Sequence, residues 1–238
     1  VAIGHKRLAI HDLSIGGKQP MHSPSGRYVL AYNGEIYNFL DLRKKLAGEN
    51  FAFKGESDTE VLLTAIDHWG LSATLKQCNG MFAFALWDRK LNQLTLVRDR
   101  MGEKPLYYGW QGDTFLFGSE LKPLRRHPAW VGGVDREAVA QLLRYNYIPA
   151  PQTIHPDIFK LEPGCMVVMS CRKHNWEIEK SNWWSLGENY EQGTNKPFQG
   201  GKEDAIDELE LILKGVLSEQ QMADVPVGIV LSGGLDSS

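Results

Sequence analysis

The chain has 238 residues, of which 42% are hydrophobic and 23% are charged, and its formal net charge is −3. This balance is ordinary for a soluble globular protein and offers no basic excess that would predict a nucleic-acid partner. No apolar run approaches the roughly 20 residues of a membrane-spanning helix, so we expect no membrane partner.

The cysteine count and the two chain ends bear on location and completeness. Three cysteines are an odd and low number, which favours reduced thiols in a cytoplasmic protein over a disulfide framework. The opening sequence VAIGHKRLAI has none of the regions of a signal peptide. Because the chain starts at Val1 in strand-like sequence and stops at Ser238 in a glycine loop, we expect truncation at both ends.

Apolar periodicity and turn residues predict a chain in which strands and helices are mixed. The stretch RYVLAYN places both tyrosines and the leucine on one face of a strand. Ser57 with Glu60 predicts a capping box, and Asp135 predicts an N-cap. The predicted elements in chain order are strand 27–33, helices 38–47 and 57–70, strands 81–88, 93–99, 105–110 and 114–119, helix 135–145, strands near 158–161 and 165–170, helix 202–222 and strand 227–231.

These elements predict one mixed, strand-rich domain over 1–171 and the start of a second over 202–238. The segment 172–201 is rich in Asn, Glu, Lys and Gly, which predicts a connection between domains. The helix at 202–222 and the strand that follows it are typical of the beginning of an α/β domain. The apolar stripe of that helix consists of Ile206, Leu209, Leu213, Val216 and Leu217.

The glycine-rich string SGGLDSS follows the last predicted strand. Glycines let backbone N–H groups converge on one anion, and serines add donors, so the string is typical of a phosphate loop. It lacks the Gly-Lys-Ser/Thr ending of a Walker A loop, which argues against simple γ-phosphate transfer. A two-glycine turn alone would indicate only a strand-to-helix connection, but the whole string resembles the pyrophosphate loop of ATP-pyrophosphatases.

A second group of residues suits a free amino acid. Arg7 offers a planar fork for a carboxylate, and Asp58 offers a carboxylate for an amine. Asn33 and Gly34 offer a side-chain amide and an approachable backbone N–H for an oxyanion. Each residue also has an ordinary interpretation: a surface ion pair for Arg7, a helix cap for Asp58 and a tight turn for Asn33-Gly34.

Taken together and in order, several motifs resemble the glutaminase domain of the asparagine synthetase family. They are GHKRLAI, YNGEIYN, GESDTEV, NGMFAFALWD, RDRMGEKPLYY and GSELKPL. The family joins a class II glutamine amidotransferase domain to an ATP-pyrophosphatase domain. The sequence VPVGIVLSGGLDSS resembles the opening of that second domain. The implied fold is α+β: an N-terminal-nucleophile αββα sandwich, then the first helix and strand of the α/β ATP-pyrophosphatase domain.

The resemblance also implies roles. Arg7 would bind the α-carboxylate of glutamine, Asn33 and Gly34 would form the oxyanion hole, and Glu35 with Asp58 would hold the α-amino group. The implied glutamine-binding residues are Arg7, Leu8, Ala9, Ile10, His11, Asn33, Gly34, Glu35 and Asp58, and the implied ATP-binding residues are Leu231, Ser232, Gly233, Gly234, Leu235, Asp236, Ser237 and Ser238.

In the family, ammonia from glutamine passes through a tunnel and attacks β-aspartyl-AMP, giving asparagine, AMP and pyrophosphate. The implied partners are therefore glutamine, aspartate and ATP, with Mg²⁺ expected beside ATP and a homodimer as a candidate assembly.

The nucleophile is where the chain departs from the family. The family uses a cysteine at the mature N-terminus, whose own α-amine serves as base. Position 1 is Val, Cys78 is expected in the core, and Cys165 and Cys171 lie in or beside a late strand, so none matches. We therefore expect the chain to be inactive alone. No metal site is predicted, because the histidines lack ligand spacing and no C-x-x-C is present.

Three alternatives keep parts of this interpretation. A related amidotransferase would amidate a sugar acid of a surface polysaccharide. A β-lactam-forming relative is disfavoured by the intact glutamine-side motifs. A non-catalytic module would bind an amino acid without hydrolysing it. The full-length sequence would discriminate the module from the enzyme, because an upstream Met-Cys-Gly, expected a few dozen residues before Val1, would support the enzyme and a different residue there would support the module.

Overall fold

The computed structural model of the chain describes residues 1–6, 17–172, 175–221, 228 and 232–234. Over these residues the chain forms nine strands and seven helices. The strands are β1 (Met21–His22), β2 (Tyr28–Ile36), β3 (Gly80–Asp88), β4 (Gln93–Arg98), β5 (Tyr107–Gln111), β6 (Thr114–Gly118), β7 (Ile158–Lys160), β8 (Cys165–Arg172) and β9 (Asn175–Asn182). The helices are α1 (Phe39–Gly48), α2 (Asp58–Trp69), α3 (Leu71–Gln77), α4 (Leu121–Leu124), α5 (Arg136–Tyr145), α6 (Leu186–Asn195) and α7 (Lys202–Gln220).

Six strands form an antiparallel sheet in the order β1-β2-β3-β4-β8-β9. β2 and β3 pair over their whole length, which places Gly34 opposite Phe82 and Glu35 opposite Met81. The central strands β3 and β4 are apolar on both faces, as expected for strands that are covered on both sides. A second, smaller antiparallel sheet has the order β6-β5-β7.

Three hydrophobic clusters join these elements in layers. The first lies between α1–α3 and one face of the six-stranded sheet, and the second lies between the two sheets. The third joins the outer face of the small sheet to α4. Representative buried members are Leu42, Leu62 and Phe84 in the first cluster, Ala85, Leu96 and Val167 in the second, and Leu116, Leu124 and Ile158 in the third. The layers are therefore helix, sheet, sheet and helix.

The predicted elements between residues 27 and 170 are present, with bounds shifted by at most a few residues. Two helix-start predictions are confirmed by contacts. Asp135 caps α5, since its Oδ1 accepts from the N–H groups of Glu137 at 2.8 Å and Ala138 at 3.3 Å. Ser57 caps α2, since its Oγ accepts from the N–H of Glu60 at 3.3 Å. The reciprocal half of the predicted capping box is wrong, because the Glu60 carboxylate accepts from the N–H groups of Lys54 and Gly55 in the preceding loop, at 2.8 Å each, and not from Ser57.

The segment proposed as an interdomain connection contains an unpredicted strand. β9 pairs with β8 throughout its length, and just beyond it the Trp183 Nε1–H donates to the carbonyl of Arg98 at 3.0 Å. The Trp183 ring also stacks on Phe82, with centroids 6.0 Å apart. We therefore propose that the first domain continues to about residue 184 and that the connection begins after it. Limited proteolysis tests this boundary, and a stable product that ends near residue 172 would contradict it.

The predicted helix near the end of the chain is confirmed as α7, and none of its residues is buried by the parts of the chain that the structure describes. Its apolar stripe is about half exposed, from 43% at Val216 to 56% at Leu209. Each of the described helices is too short or too polar to cross a bilayer.

Candidate active site

A cavity of about 490 Å³ opens at the end of β2, between the start of α2 and the end of β6. Its walls come from β2, the start of α2, the start of β3, and the segment that joins β6 to α4. Its polar lining residues are His5, Lys6, Gln19, Tyr32, Asn33, Glu35, Asp58, Thr59, Lys104, Ser119 and Glu120. Four residues predicted to act together, Asn33, Gly34, Glu35 and Asp58, thus line one cavity.

Asp58 is the first residue of α2 and is only 5% exposed. Its Oδ2 accepts from the hydroxyl of Tyr32 at 2.7 Å and from the backbone N–H of Ile36 at 3.0 Å. Ser57, not Asp58, caps the helix, so Asp58 directs its carboxylate towards β2. Burial and the adjacent Asp58 carboxylate raise the pKa of Tyr32 well above its usual value. The phenol therefore remains a donor to Asp58 at neutral pH.

Asn33 and Gly34 lie inside β2, so the tight-turn interpretation of this dipeptide is wrong. The Asn33 Nδ2 donates to the hydroxyl of Ser119 at 3.3 Å, which links β2 to the end of the small sheet. Gly34 is required by sterics, because a Cβ there would lie 2.2 Å from the carbonyl oxygen of Met81 on β3. The absence of a side chain lets the two strands approach closely beside the cavity.

The cavity wall carries both signs of charge. Lys6 and Lys104 supply cations, while Glu35, Asp58 and Glu120 supply carboxylates. A zwitterion, which presents an ammonium and a carboxylate a few ångströms apart, suits such a wall better than a ligand of one sign. Three of these charged residues lie inside the predicted motifs but were assigned no individual role: Lys6, Lys104 and Glu120.

Ser119 is a further site residue that the sequence did not assign. It belongs to GSELKPL, and Lys104 belongs to RDRMGEKPLYY. The appearance of both residues inside motifs was the signal that could have found them. Their contact with the site is a tertiary one, since 86 positions separate Asn33 from Ser119.

Several predicted residues lie outside the described part of the chain. These are Arg7, Leu8, Ala9, Ile10 and His11 on the glutamine side, and Leu231, Leu235, Asp236, Ser237 and Ser238 on the ATP side. In the remainder of the glycine loop, Gly233 has φ +70°, a conformation that favours glycine, and the Gly234 N–H donates to Ser232 Oγ at 3.4 Å.

The cysteines do not contribute to the cavity wall as described. Cys78 is fully buried, which confirms its predicted place in the core, and burial raises the pKa of its thiol to about 12. Cys165 is also buried, with its pKa raised by burial, and Cys171 is exposed. A thiol held protonated is a poor nucleophile. Among the described residues, no cluster of three His, Cys, Asp or Glu side chains is arranged to hold a metal ion.

Two protein families match most of the chain. Residues 1–184 match the family described as glutamine amidotransferase domain, and residues 208–238 match the family described as asparagine synthase. The chain is 37% identical over 240 residues to the glutamine-hydrolyzing asparagine synthetase 3 of Bacillus subtilis, with 100% of this chain and 37% of that protein covered. It is 35% identical over 239 residues to amidase chry2 of Gibberella zeae, with 100% of this chain and 34% of that protein covered. The chain thus spans little more than a third of the length of these relatives.

A solved structure shares the fold. It is the glutamine phosphoribosylpyrophosphate amidotransferase from B. subtilis, complexed with ADP and GMP, with a TM-score of 0.52 and 20% identity. The likeness covers 76% of this chain and 34% of that one. The family match over residues 1–184 is the stronger finding, and by it the chain belongs to the glutamine amidotransferase domain family and carries, at its end, the start of an asparagine synthase domain.

Proposed function

We propose that the cavity binds L-glutamine and that the domain releases ammonia from its side-chain amide. The observation that carries this proposal is the convergence of Asn33, Gly34, Glu35 and Asp58 on one cavity of mixed charge. On this proposal the layers of the domain are the αββα sandwich of N-terminal-nucleophile hydrolases. The glutamine amidotransferase family to which the chain belongs supports both glutamine binding and ammonia release.

Asp58 and Glu35 would hold the ammonium group of glutamine. Asp58 is suited to this task because Tyr32 and Ile36 orient its carboxylate while the side chain remains at the cavity wall. A buried carboxylate that is already hydrogen-bonded loses little additional freedom when a cation arrives. Arg7 would take the α-carboxylate through two parallel hydrogen bonds.

The family resemblance implies that an N-terminal cysteine attacks the side-chain amide of glutamine. Asn33 and Gly34 would stabilise the negative charge that then develops on the amide oxygen. Ser119 holds the Asn33 amide through one N–H, which leaves the other available for that oxygen. Fixed donors of this kind stabilise charge in the transition state without reorganising.

Titration calorimetry of the 238-residue chain tests the binding proposal. L-glutamine should bind, and Arg7→Lys should weaken the affinity because a point charge cannot replace the planar fork. Lys18→Arg, which lies outside the cavity wall, is the matched control and should bind like the unchanged chain. A chain that does not bind glutamine would overturn the proposal.

Asn33→Ala should lower the kcat of glutamine hydrolysis by about 10²–10³, with little change in glutamine affinity. The measurement is glutamate release in a protein that carries both this chain and the cysteine nucleophile. Ser119→Ala should show a smaller loss of kcat, since it releases the Asn33 amide without removing it. A change in KM alone would move Asn33 from catalysis to binding.

We further propose that the ammonia serves an ATP-dependent amidation of aspartate through β-aspartyl-AMP, with Mg²⁺ beside the ATP. The match of residues 208–238 to the asparagine synthase family supports this acceptor chemistry. An amidase among the relatives keeps a different acceptor as the alternative. Product analysis of the longer protein with glutamine, ATP and either aspartate or a sugar acid distinguishes them, and an absence of asparagine would reject the first.

A further inference from the structure

A buried carboxylate organises the loop that follows β4. Asp99 is 1% exposed, and its side chain accepts four backbone hydrogen bonds. The donors are the N–H groups of Met101 at 3.0 Å and Glu103 at 3.0 Å to Oδ1, and those of Lys104 at 3.0 Å and Phe82 at 3.2 Å to Oδ2. A carboxylate that accepts four N–H groups fixes the path of the backbone that supplies them.

One of these four donors, Lys104, lines the cavity, and a second, Phe82, pairs with the lining residue Gly34. The strands approach so closely at this pair that a Cβ on Gly34 would lie 2.6 Å from the Phe82 Cα. One carboxylate oxygen, Asp99 Oδ2, therefore accepts from both Phe82 and Lys104 and sets the distance between Lys104 and the Phe82–Gly34 pair.

The guanidinium of the neighbouring Arg98 binds two carbonyl groups of the same loop and a third just after β7. It donates to the carbonyl oxygens of Lys104 at 2.8 Å, Gly102 at 2.6 Å and Leu161 at 2.5 Å. Asp99 thus takes the N–H groups of the loop while Arg98 takes its carbonyl groups. The Lys104 backbone is held at both of its polar atoms.

We propose that Asp99 is a positioning residue for glutamine: it holds Lys104 and the Phe82–Gly34 wall at the spacing that the substrate requires. This inference rests on the proposed function of the cavity. It adds to that function a residue that does not itself line the cavity and acts only through the backbone groups it binds.

Asp99→Asn tests the proposal, with Asp88→Asn as the matched control. Asn presents one acceptor oxygen and one NH₂ group, so the backbone N–H groups that now bind one of the two Asp99 oxygens lose their acceptor. Asp88 is similarly buried, at 6%, and also accepts from backbone N–H groups, but at the opposite end of β3 from the cavity. Calorimetry on folded protein should show that Asp99→Asn lowers the affinity for glutamine by roughly tenfold or more, whereas Asp88→Asn leaves the affinity unchanged.

Hydrogen exchange supplies a readout that does not depend on glutamine. The amides of Phe82, Met101, Glu103 and Lys104 should exchange faster in Asp99→Asn than in the unchanged chain, and those of β8 should not. If Asp99→Asn does not fold, Gly102→Ala decides. Gly102 has φ +70°, and its added Cβ would lie 2.8 Å from the side chain of Pro163 in the neighbouring segment between β7 and β8, so the loop after β4 must shift.

Gly102→Ala should weaken glutamine binding in the same direction. Unchanged glutamine affinity in the folded Asp99→Asn or Gly102→Ala variant would overturn the proposal, and so would unchanged exchange of the four amides in Asp99→Asn. A failure of the unchanged chain to bind glutamine is a distinct result, because it overturns the function of the cavity and not the contacts of Asp99.

Discussion

Replacing Asp58 with Asn should weaken glutamine binding by about 2 kcal/mol or more, roughly a 30-fold loss of affinity. The Asn side chain has nearly the shape of Asp and its oxygen can still accept from Tyr32 and Ile36, which now bind Oδ2. The negative charge that would pair with the substrate ammonium is lost, however, and water screens this pair little because Asp58 is only 5% exposed. Calorimetry of the folded chain with L-glutamine measures the effect.

Asp41→Asn is the control for this charge change. Asp41 lies in the first turn of α1, and its side chain is 65% exposed. Its replacement should leave glutamine affinity unchanged. Tyr32→Phe should have an intermediate effect, because it removes one donor from Asp58 and keeps the charge. Equal affinities for Asp58→Asn and the unchanged chain would remove Asp58 from the ammonium site.

Gly34→Ala should lower the free energy of unfolding by about 2–4 kcal/mol and impair glutamine binding together with stability. Its Cβ would lie 2.2 Å from the carbonyl oxygen of Met81 and 2.6 Å from the Cα of Phe82. Both atoms belong to the backbone of β3, so no rotamer change relieves the overlap, and β2 must move away from β3. Urea denaturation followed by circular dichroism measures the loss.

Gly48→Ala is the matched control for the added methyl group. Gly48 is the last residue of α1, and no atom lies within 4 Å of the Cβ that it would gain. Because alanine costs less conformational entropy than glycine in a helix, this variant should be neutral or more stable by up to about 1 kcal/mol. A Gly34→Ala chain as stable as Gly48→Ala would show that β2 and β3 can separate without cost.

The elements that the sequence predicted are those whose side chains are sorted by burial. β2, β3 and α2 carry regular apolar patterns because one or both faces pack in the core. β9 escaped prediction because its sequence NWEIEKSN is largely polar, as an edge strand can be. α3 was missed because Gly70 marks the end of one helix and directly precedes the next.

The residues of the candidate site were predictable only through their resemblance to family motifs. Asp58 and Asn33 were assigned through the order of motifs along the chain, because spacing alone does not bring them together. The contact of Asp99 with Phe82 continues the pairing of β4 with β3, so it follows from the register of neighbouring strands. The contact of Ser119 with Asn33 joins β2 to the end of the small sheet, which no periodicity relates, and it becomes visible only when the two sheets have been packed together.

The two edges of the six-stranded sheet bear on whether a strand of another chain could extend it. In the described structure one edge is β1, with only two residues, and the other is β9, where Glu177, Glu179 and Lys180 are exposed. A short strand offers few unpaired backbone groups, and charges on an edge strand repel or must be desolvated when another strand docks. The apolar β3 and β4, which would be the most adhesive strands, are thus kept in the interior of the sheet, where no second chain can pair with them.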